Sequence, residues 1–268
     1  YFSWRVRALG CSVTTLLETR ALSTRIGATC VCRDLNLRVQ PGTRWGVLGT
    51  NGVGKTTLLH TLAGLRAPMT GDIFLTGKSI AALSRRERAQ ACGLLFQDSD
   101  DAFPTTVWES VLLGRHPHLQ AWAWESTEDE KIALKALRAV GLSHMRTRLS
   151  STLSGGERRR MALAALLAQD PAIFLLDEPA NHLDMHHQVA VLELLSAQVR
   201  EQSKALVMVL HDINLAARFC DAVLLLFGDG ETVQGPVQEV MTAENLHRLY
   251  RHKITSVETA DGRFFYPA

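Results

Sequence analysis

Short apolar runs recur along the chain, and patterns typical of helices lie between them. The runs are WGVL (45–48), CGLLF (92–96), AIFLL (172–176), ALVMVL (205–210) and AVLLLF (222–227). They have the length of strands and show no polar alternation, which is typical of strands buried on both faces of a parallel sheet. Strands that alternate with helices in this way predict an α/β fold.

Residues 98 to about 155 lack strand-like runs and carry signals of helix ends instead. Thr106 and Glu109 have the spacing of a capping box ahead of an apolar stretch. Thr127 with Glu130 repeats this spacing and predicts the start of another helix. We therefore predict a helical insertion within the α/β fold.

The chain is predicted to contain a short N-terminal tail and one folded domain. The predicted boundaries are 1–17 for the tail and 18–268 for the domain, which divides into a core (18–97 and 156–232), a helical subdomain (98–155) and a C-terminal extension (233–268).

Composition narrows the class of protein further. The 268 residues, 46% of them hydrophobic, suffice for a full hydrophobic core. No apolar run approaches the roughly 18 residues of a membrane helix. A net charge of +2 gives no reason to expect wholesale binding to nucleic acid. Five cysteines, an odd number and unevenly spaced, indicate reduced thiols in a cytosolic protein.

The segment GTNGVGKTT follows the run WGVL and precedes an apolar-periodic helix. Gly49, Gly52 and Gly54 allow a tight turn whose N–H groups point inward, and the positive end of the following helix dipole adds to their attraction for an anion. Lys55 supplies a charge for the β and γ phosphates, and Thr56 a hydroxyl for Mg²⁺. The full spacing favours a nucleotide-phosphate site over a plain glycine-rich turn. By itself it does not separate an ATPase from a GTPase or a kinase.

Two adjacent acids follow the apolar run AIFLL. Asp177 ends that run and delivers a carboxylate to the edge of the sheet where ligands of α/β folds bind. Mg²⁺ bound to a nucleotide needs such an oxygen ligand. Glu178 is the candidate general base for a water molecule in line with the γ-phosphate. The alternative is a pair of acids that caps the next helix.

The segment LSGGERRRMALAALLA predicts a helix with a second anion site at its start. Ser154, Gly155 and Gly156 place a hydroxyl and bare amides at the helix N-terminus. Because the chain already has a phosphate loop, the natural ligand is the phosphate of a partner's ATP. The arginines at 158–160 raise the alternative of a nucleic-acid patch, but consecutive helix positions diverge, which favours a solvated face with salt bridges.

The motifs GTNGVGKTT, a glutamine after a strand, LSGGE, FLLDE, NHLD and LHD occur in the order and spacing of ATP-binding cassette (ABC) proteins. The chain resembles this family over about residues 18–268. The resemblance implies a P-loop NTPase core with a mostly parallel sheet, an N-terminal antiparallel β portion and a helical subdomain. It also implies ATP and Mg²⁺ as cofactors and ATP hydrolysis as the activity.

The same resemblance implies roles for individual residues. Gln97 contacts Mg²⁺ and the membrane partner, His211 contacts the γ-phosphate, and both join Glu178 in the catalytic set. Ser154 and Gly156 bind the γ-phosphate across a head-to-tail dimer, with Asp184 at its interface. The implied nucleotide-binding residues are Gly49, Asn51, Gly52, Gly54, Lys55, Thr56, Thr57, Ser154, Gly155, Gly156 and Asp184, and the implied magnesium ligands are Thr56, Gln97 and Asp177.

Finer sequence features resemble the ATPases of importers for iron-siderophores, haem and cobalamin. They are FPTTVWESVLLGRHPHL, DEPANHLDMHHQ and GPVQEVMTAENLHRLY near the C-terminus. The resemblance implies a homodimer of ATPase subunits bound to integral-membrane permease subunits. A periplasmic or surface substrate-binding protein takes part indirectly, and no nucleic acid is involved. The implied location is the cytoplasmic face of the bacterial inner membrane, as a peripheral protein.

The alternative is a soluble ABC-type ATPase of DNA repair or translation. Repair ATPases of this type carry long coiled-coil insertions between the P-loop lysine and the LSGGE segment. The corresponding stretch here, between Lys55 and Ser154, shows no sustained heptads. Translation ATPases usually hold two cassettes in one chain, and this sequence contains one set of motifs.

Overall fold

The computed structural model describes residues 15–97, 104–120, 123–181, 183–259 and 262–268. Most of the predicted tail and the first residues of the predicted insertion therefore lie outside the described residues.

Strands occur throughout the described chain. Their bounds are β1 Leu17–Ile26, β2 Thr29–Leu35, β3 Arg38–Val39, β4 Arg44–Gly49, β5 Thr70–Leu75, β6 Lys78–Ser79, β7 Cys92–Leu95, β8 Ile173–Asp177, β9 Ala205–Val209, β10 Ala222–Leu226, β11 Thr232–Pro236, β12 Ile254–Thr259 and β13 Gly262–Pro267. All five apolar runs singled out in the sequence are strands, which confirms their prediction.

Helices connect most of these strands. Their bounds are α1 Lys55–Leu62, α2 Arg85–Ala91, α3 Val107–Leu112, α4 Thr127–Ala139, α5 Gly155–Gln169, α6 Met185–Gln202, α7 Ile213–Phe219, α8 Val237–Val240 and α9 Ala243–Tyr250. Helices α3, α4 and α5 lie between β7 and β8, as a helical insertion requires. The exact boundaries of that insertion stay a prediction.

The larger sheet has the strand order β11-β10-β4-β9-β8-β7. Strand β4 runs parallel to both of its neighbours. Arg44 pairs with Leu206 of β9, and Trp45 pairs with Ala222 of β10. Strand β11 is antiparallel to β10. The carboxyl ends of β4, β7, β8 and β9 meet at one edge, and the loops with the predicted site residues start there.

Both faces of this sheet are covered, which explains its apolar strands. Phe174 and Leu176 of β8 pack in the cluster on one face, whereas Ile173 and Leu175 pack in the cluster on the other. All four side chains are completely buried. A parallel strand buried on both faces has no place for polar alternation, so the continuous apolar run is the expected pattern.

An antiparallel sheet forms the N-terminal part of the chain. Its strand order is β2-β1-β5-β6, and β3 also pairs with β1. Together with the parallel sheet and the helical insertion, it confirms the predicted fold class. In the described ranges, no helix combines the length and the apolar character needed to cross a bilayer.

The capping predictions for the insertion are half correct. Thr106 and Glu109 form the predicted capping box at the start of α3. The prediction of Thr127 as the cap of α4 is wrong, because Ser126 caps that helix and Asp129 completes the box. Ser126 and Thr127 both have an acidic residue three positions later, as a capping box requires. Which of them caps α4 therefore depends on contacts with other parts of the chain.

Those contacts come from a buried ion pair. The Arg115 guanidinium donates to Asp129 through Nε at 2.9 Å and to the Ala168 carbonyl through Nη1 at 2.7 Å. It thereby joins the turn after α3 to the start of α4 and the end of α5. Hydrogen bonds from Ser126 and Arg115 lower the pKa of Asp129 to about 2.

We predict that Asp129→Asn lowers the free energy of unfolding by about 2 kcal/mol at pH 7, because a hydrogen bond to a buried charge is lost. A folded-state pKa below the ordinary value means that the carboxylate stabilises the fold above about pH 4. That contribution disappears as the pH falls towards 2. Urea unfolding of wild type and variant between pH 7 and pH 3 should therefore show a gap that narrows with acid.

Glu128→Gln is the control for this experiment, because Glu128 pairs with Lys131 on the open surface. Such a pair contributes within about 0.5 kcal/mol. An Asp129→Asn variant as stable as the control at pH 7 would contradict the role of the ion pair.

Candidate active site

The loop between β4 and α1 contains glycines in backbone conformations that other residues rarely adopt. Gly52 has φ +77° and Gly54 has φ +101°, values of the left-handed region. A Cβ on Gly54 would lie 2.4 Å from Val31 Cγ2. The loop therefore needs glycine at position 54 for both its dihedral angle and its space. Gly49 is confined by space alone, since its Cβ would lie 2.9 Å from the Leu226 carbonyl oxygen.

Lys55 begins α1 and turns its ammonium group back over this loop. Its Nζ donates to the carbonyls of Gly49 at 2.8 Å and Thr50 at 3.0 Å. Burial lowers the pKa of Lys55, whereas the negative charges of Glu178 and Asp177 oppose that shift. A buried cation, a glycine-rich loop and the start of a helix are suited to binding a polyphosphate.

Asp177 lies at the end of β8 and is completely buried. Burial raises its pKa, and the Thr56 hydroxyl and the charge of Arg159 act in the opposite direction. Neither carboxylate oxygen has a hydrogen-bond partner of good geometry among the described residues. Two buried oxygens beside a threonine hydroxyl fit a hard divalent cation, which takes oxygen ligands.

Glu178 follows Asp177 in a left-handed backbone conformation, with φ +51°. Its side chain is buried and meets three other side chains. Oε1 is hydrogen-bonded to Nε2 of His211, and Oε2 accepts from the amide of Asn181 and, at 3.4 Å, from Nε2 of Gln97. The structure thus brings Glu178, Gln97 and His211 together, although they come from three different strand ends. A carboxylate held in this way can accept a proton from a water molecule.

The predicted second anion site lies outside the cluster formed by Glu178, Gln97 and His211. Ser154 caps α5, and its hydroxyl accepts from the Glu157 amide at 3.3 Å, while its own amide donates to the Glu157 carboxylate at 2.8 Å. Ser154 and Gly155 are exposed. In the described part of the chain, no hydrogen bond connects either residue to the loop at Lys55. The capping role of Glu157 was missed, although the S-x-x-E spacing indicates it.

Asp184 also lies outside the cluster. It caps α6 by accepting from the His187 amide at 2.9 Å, and it contacts His187 Nδ1 at 2.9 Å. The bonds from His187 lower the pKa of Asp184. Its side chain is 67% exposed. Asp184 and Ser154 are therefore accessible to a second molecule rather than to the loop of their own chain.

Two residues in contact with the cluster were missed or misjudged in the sequence. The side-chain amide of Asn181, which was missed, lies three residues after Glu178 and donates to its carboxylate. The prediction of a solvated face is wrong for Arg159, which is buried and donates to the backbone at the ends of β7 and β8. Arg159 lies four residues before buried Leu163, a helical spacing that places both on the inner face.

Comparison with known proteins identifies relatives over most of the chain. A family described as ABC transporter matches residues 32–181. The ferric enterobactin transport ATP-binding protein FepC of Escherichia coli K12 is 38% identical over 234 residues, which cover 87% of this chain and 86% of that protein. The hemin import ATP-binding protein HmuV of Gloeobacter violaceus is 39% identical over 236 residues, covering 85% of each.

Solved structures show the same architecture. The chain is similar to a putative metal-chelate type ABC transporter in an inward-facing conformation, with a TM-score of 0.82 and 28% identity over 95% of this chain and 98% of that one. It is also similar to a dimeric bacterial ABC transporter cassette, with a TM-score of 0.74 and 27% identity over 82% of this chain and 98% of that one.

We predict that Gly54→Ala destabilises the protein more than Gly42→Ala does. Gly42 has φ +79° but no atom near its Cβ position, so its variant costs only about 1 kcal/mol of backbone strain. Gly54→Ala adds the collision with Val31, which costs about 2 kcal/mol more. Urea unfolding of both variants measures the difference.

A double variant tests the cause. If Val31 is responsible, Val31→Ala should recover most of the excess cost of Gly54→Ala, seen as non-additivity in the double-mutant cycle. Additive effects of the two substitutions would show that the collision does not matter.

Proposed function

Because the chain belongs to the ABC transporter family of ATP-binding proteins, we propose that it is the ATP-hydrolysing subunit of an importer for an iron chelate, haem or cobalamin. The observation that carries the proposal is the contact of Glu178 with His211 and Gln97 beside a phosphate loop. A loop that only bound nucleotide would need no carboxylate held by a histidine.

In this proposal, the glycine-rich loop and Lys55 hold the phosphates of ATP. Asn51 and Thr57 belong to the same segment, and Thr57 is buried in the first turn of α1. Mg²⁺ would be held by Thr56, Asp177 and Gln97, and when bound it neutralises charge on the β and γ phosphates. The buried oxygens of Asp177, which lack a hydrogen bond of good geometry among the described residues, support this assignment.

Glu178 acts as the general base. It accepts a proton from water while the water oxygen forms a bond to the γ-phosphorus and the bond from that phosphorus to the β–γ bridging oxygen breaks. ADP and phosphate leave. His211 and Asn181, which hold the two carboxylate oxygens, orient the base. The left-handed backbone of Glu178 supports this role, because strained conformations cluster at active sites.

Two copies of the chain act together. Ser154, Gly155 and Gly156 of one copy face the ATP held by the other, and Asp184 lies at the contact. The exposure of Ser154 and Asp184 supports this arrangement. The similarity to a dimeric cassette supports it too.

The importer assignment is supported by the relatives, whose names refer to enterobactin, petrobactin and hemin. We infer that the dimer binds integral-membrane permease subunits at the cytoplasmic face of the bacterial inner membrane. The substrate arrives through a separate binding protein and does not contact this chain. The relatives favour this function over DNA repair or translation.

The test is reconstitution of the chain with its permease and binding protein in vesicles. An iron chelate, haem or cobalamin that stimulates ATP hydrolysis and accumulates inside would identify the cargo. Failure of all three classes to do so, with active ATP hydrolysis, would refute the importer assignment but not the ATPase.

We predict that Glu178→Gln retains MgATP binding and loses hydrolysis by about 10² to 10⁴ fold, the usual contribution of a general base. The amide keeps the shape of the side chain but does not accept the proton. Turnover by phosphate release and affinity by calorimetry measure the two effects. Glu193→Gln, on the exposed face of α6, is the control. Turnover near that of wild type would remove Glu178 from this role.

We further predict that Glu178→Gln protein dimerises in MgATP and that an added Ser154→Asp prevents it. Aspartate caps a helix as well as serine does, so the fold remains while its charge repels the partner's γ-phosphate. Thr242→Asp is the matched control, because it adds the same charge at the cap of α9. Sedimentation velocity distinguishes the 29.6 kDa monomer from the dimer. A monomer in all three proteins would contradict the two-copy arrangement.

A further inference from the structure

Arg159 connects α5 to the edge of the sheet that carries the candidate active site. Its side chain is 8% exposed. Nη1 donates to the carbonyls of Phe96 and, at 3.3 Å, Gln97. Nη2 donates to the carbonyls of Asp177 and, at 2.7 Å, Glu178. One guanidinium group therefore bonds to the chain on both sides of the catalytic cluster.

The carbonyls lie where the sheet ends: Asp177 is the last paired residue of β8, and the other three lie beyond the strands. The ladder between β7 and β8 ends at the pair Leu95 and Leu176, so the Phe96 and Gln97 carbonyls lie beyond it. The chain at Glu178 turns into a left-handed conformation and leaves the sheet. Carbonyls that are buried, as at Asp177 and Glu178, or partly buried, as at Phe96 and Gln97, need donors from outside the ladder at such a point. Arginine supplies five in a rigid planar fork.

The neighbouring arginines make different contacts. Arg158 donates to the Leu153 carbonyl at 3.5 Å and Arg160 to the Val140 carbonyl at 3.2 Å. Both partners belong to the helical region, whereas Arg159 reaches the sheet. Adjacent positions on a helix diverge by about 100°, which explains why one of the three arginines points inward.

We propose that Arg159 is a positioning residue that ties α5 to the backbone of Gln97 and Glu178. This inference rests on the proposed ATPase function. The N-terminal end of α5 carries Ser154, about 7.5 Å along the helix from Arg159. The same side chain thus positions the N-terminus of α5, which carries the proposed anion site, and also positions Glu178 and Gln97. Because Arg159 donates to the backbone of Gln97 and Glu178, it acts through these two residues.

The chemistry distinguishes Arg159 from a side chain that only fills space. Methionine keeps most of the volume but has no donor. Lysine keeps the charge but offers its donors from a single point, so it does not reach both strand ends as the planar fork does. Glutamine has two donors on one nitrogen and serves one strand end. A graded loss, with methionine the worst, is therefore expected.

The experiment compares wild type, Arg159→Met, Arg159→Lys and the control Arg158→Met. For Arg159→Met, we expect kcat for MgATP hydrolysis to fall about 10 to 100 fold, as a displacement near 1 Å does at a reacting centre. The Kd for MgADP should stay within about threefold, because the loop at Lys55 is untouched. Arg159→Lys should recover part of kcat, and Arg158→Met should match wild type.

Hydrogen exchange provides a measurement that does not depend on activity. The backbone N–H of Asn181 donates to the backbone carbonyl of Glu178 at 3.1 Å. In Arg159→Met this amide should lose protection, whereas the amides of α1 should keep theirs. A residue that merely supports the fold would instead lower protection everywhere and weaken MgADP binding along with kcat.

Two outcomes overturn the inference. One is a kcat for Arg159→Met within twofold of wild type. The other is unchanged protection at Asn181. If Arg159→Met does not fold, Arg159→Lys decides by the same two criteria. A wild-type chain that hydrolyses no ATP would refute the proposed function, and the exchange measurement would still test the connection made by Arg159.

Discussion

The burial of two adjacent carboxylates at the end of β8 is the constraint on which the rest of the site depends. Removing such groups from water is costly unless charges and hydrogen bonds compensate. The structure supplies Lys55 from the phosphate loop, His211 from the end of β9 and backbone support from Arg159. Each comes from a different element, so the carboxylates dictate how the loop, helix α5 and the sheet edge meet.

Much of the fold could be predicted because its determinants are local. Five continuous apolar runs indicated strands buried on both faces, and all five are strands of the larger sheet. The phosphate loop and the acids after β8 were equally visible, since each motif is a contiguous segment at a strand end. The alternation of strands and helices then implied that these ends lie at one edge.

What could not be predicted depends on contacts between distant segments. Ser126 and Thr127 fit the capping pattern equally well, and the choice follows from Asp129 pairing with Arg115, which the local pattern does not encode. Arg158, Arg159 and Arg160 look alike in the sequence, yet one reaches the sheet. Asn181 contacts Glu178 where the backbone turns left-handed, a conformation that a glutamate in the sequence does not indicate.

The position of β4 in the sheet has a consequence for the order in which a newly made chain can fold. Both neighbours of β4 lie near the end of the sequence, since Arg44 pairs with Leu206 and Trp45 with Ala222. During synthesis, the strand that leads into the phosphate loop emerges long before either neighbour. Contacts between such distant segments form slowly, and an unpaired apolar strand is prone to aggregate. A nascent chain without β9 and β10 thus carries the phosphate-loop sequence without the sheet that shapes it, so we expect nucleotide binding to begin only after both strands have been made.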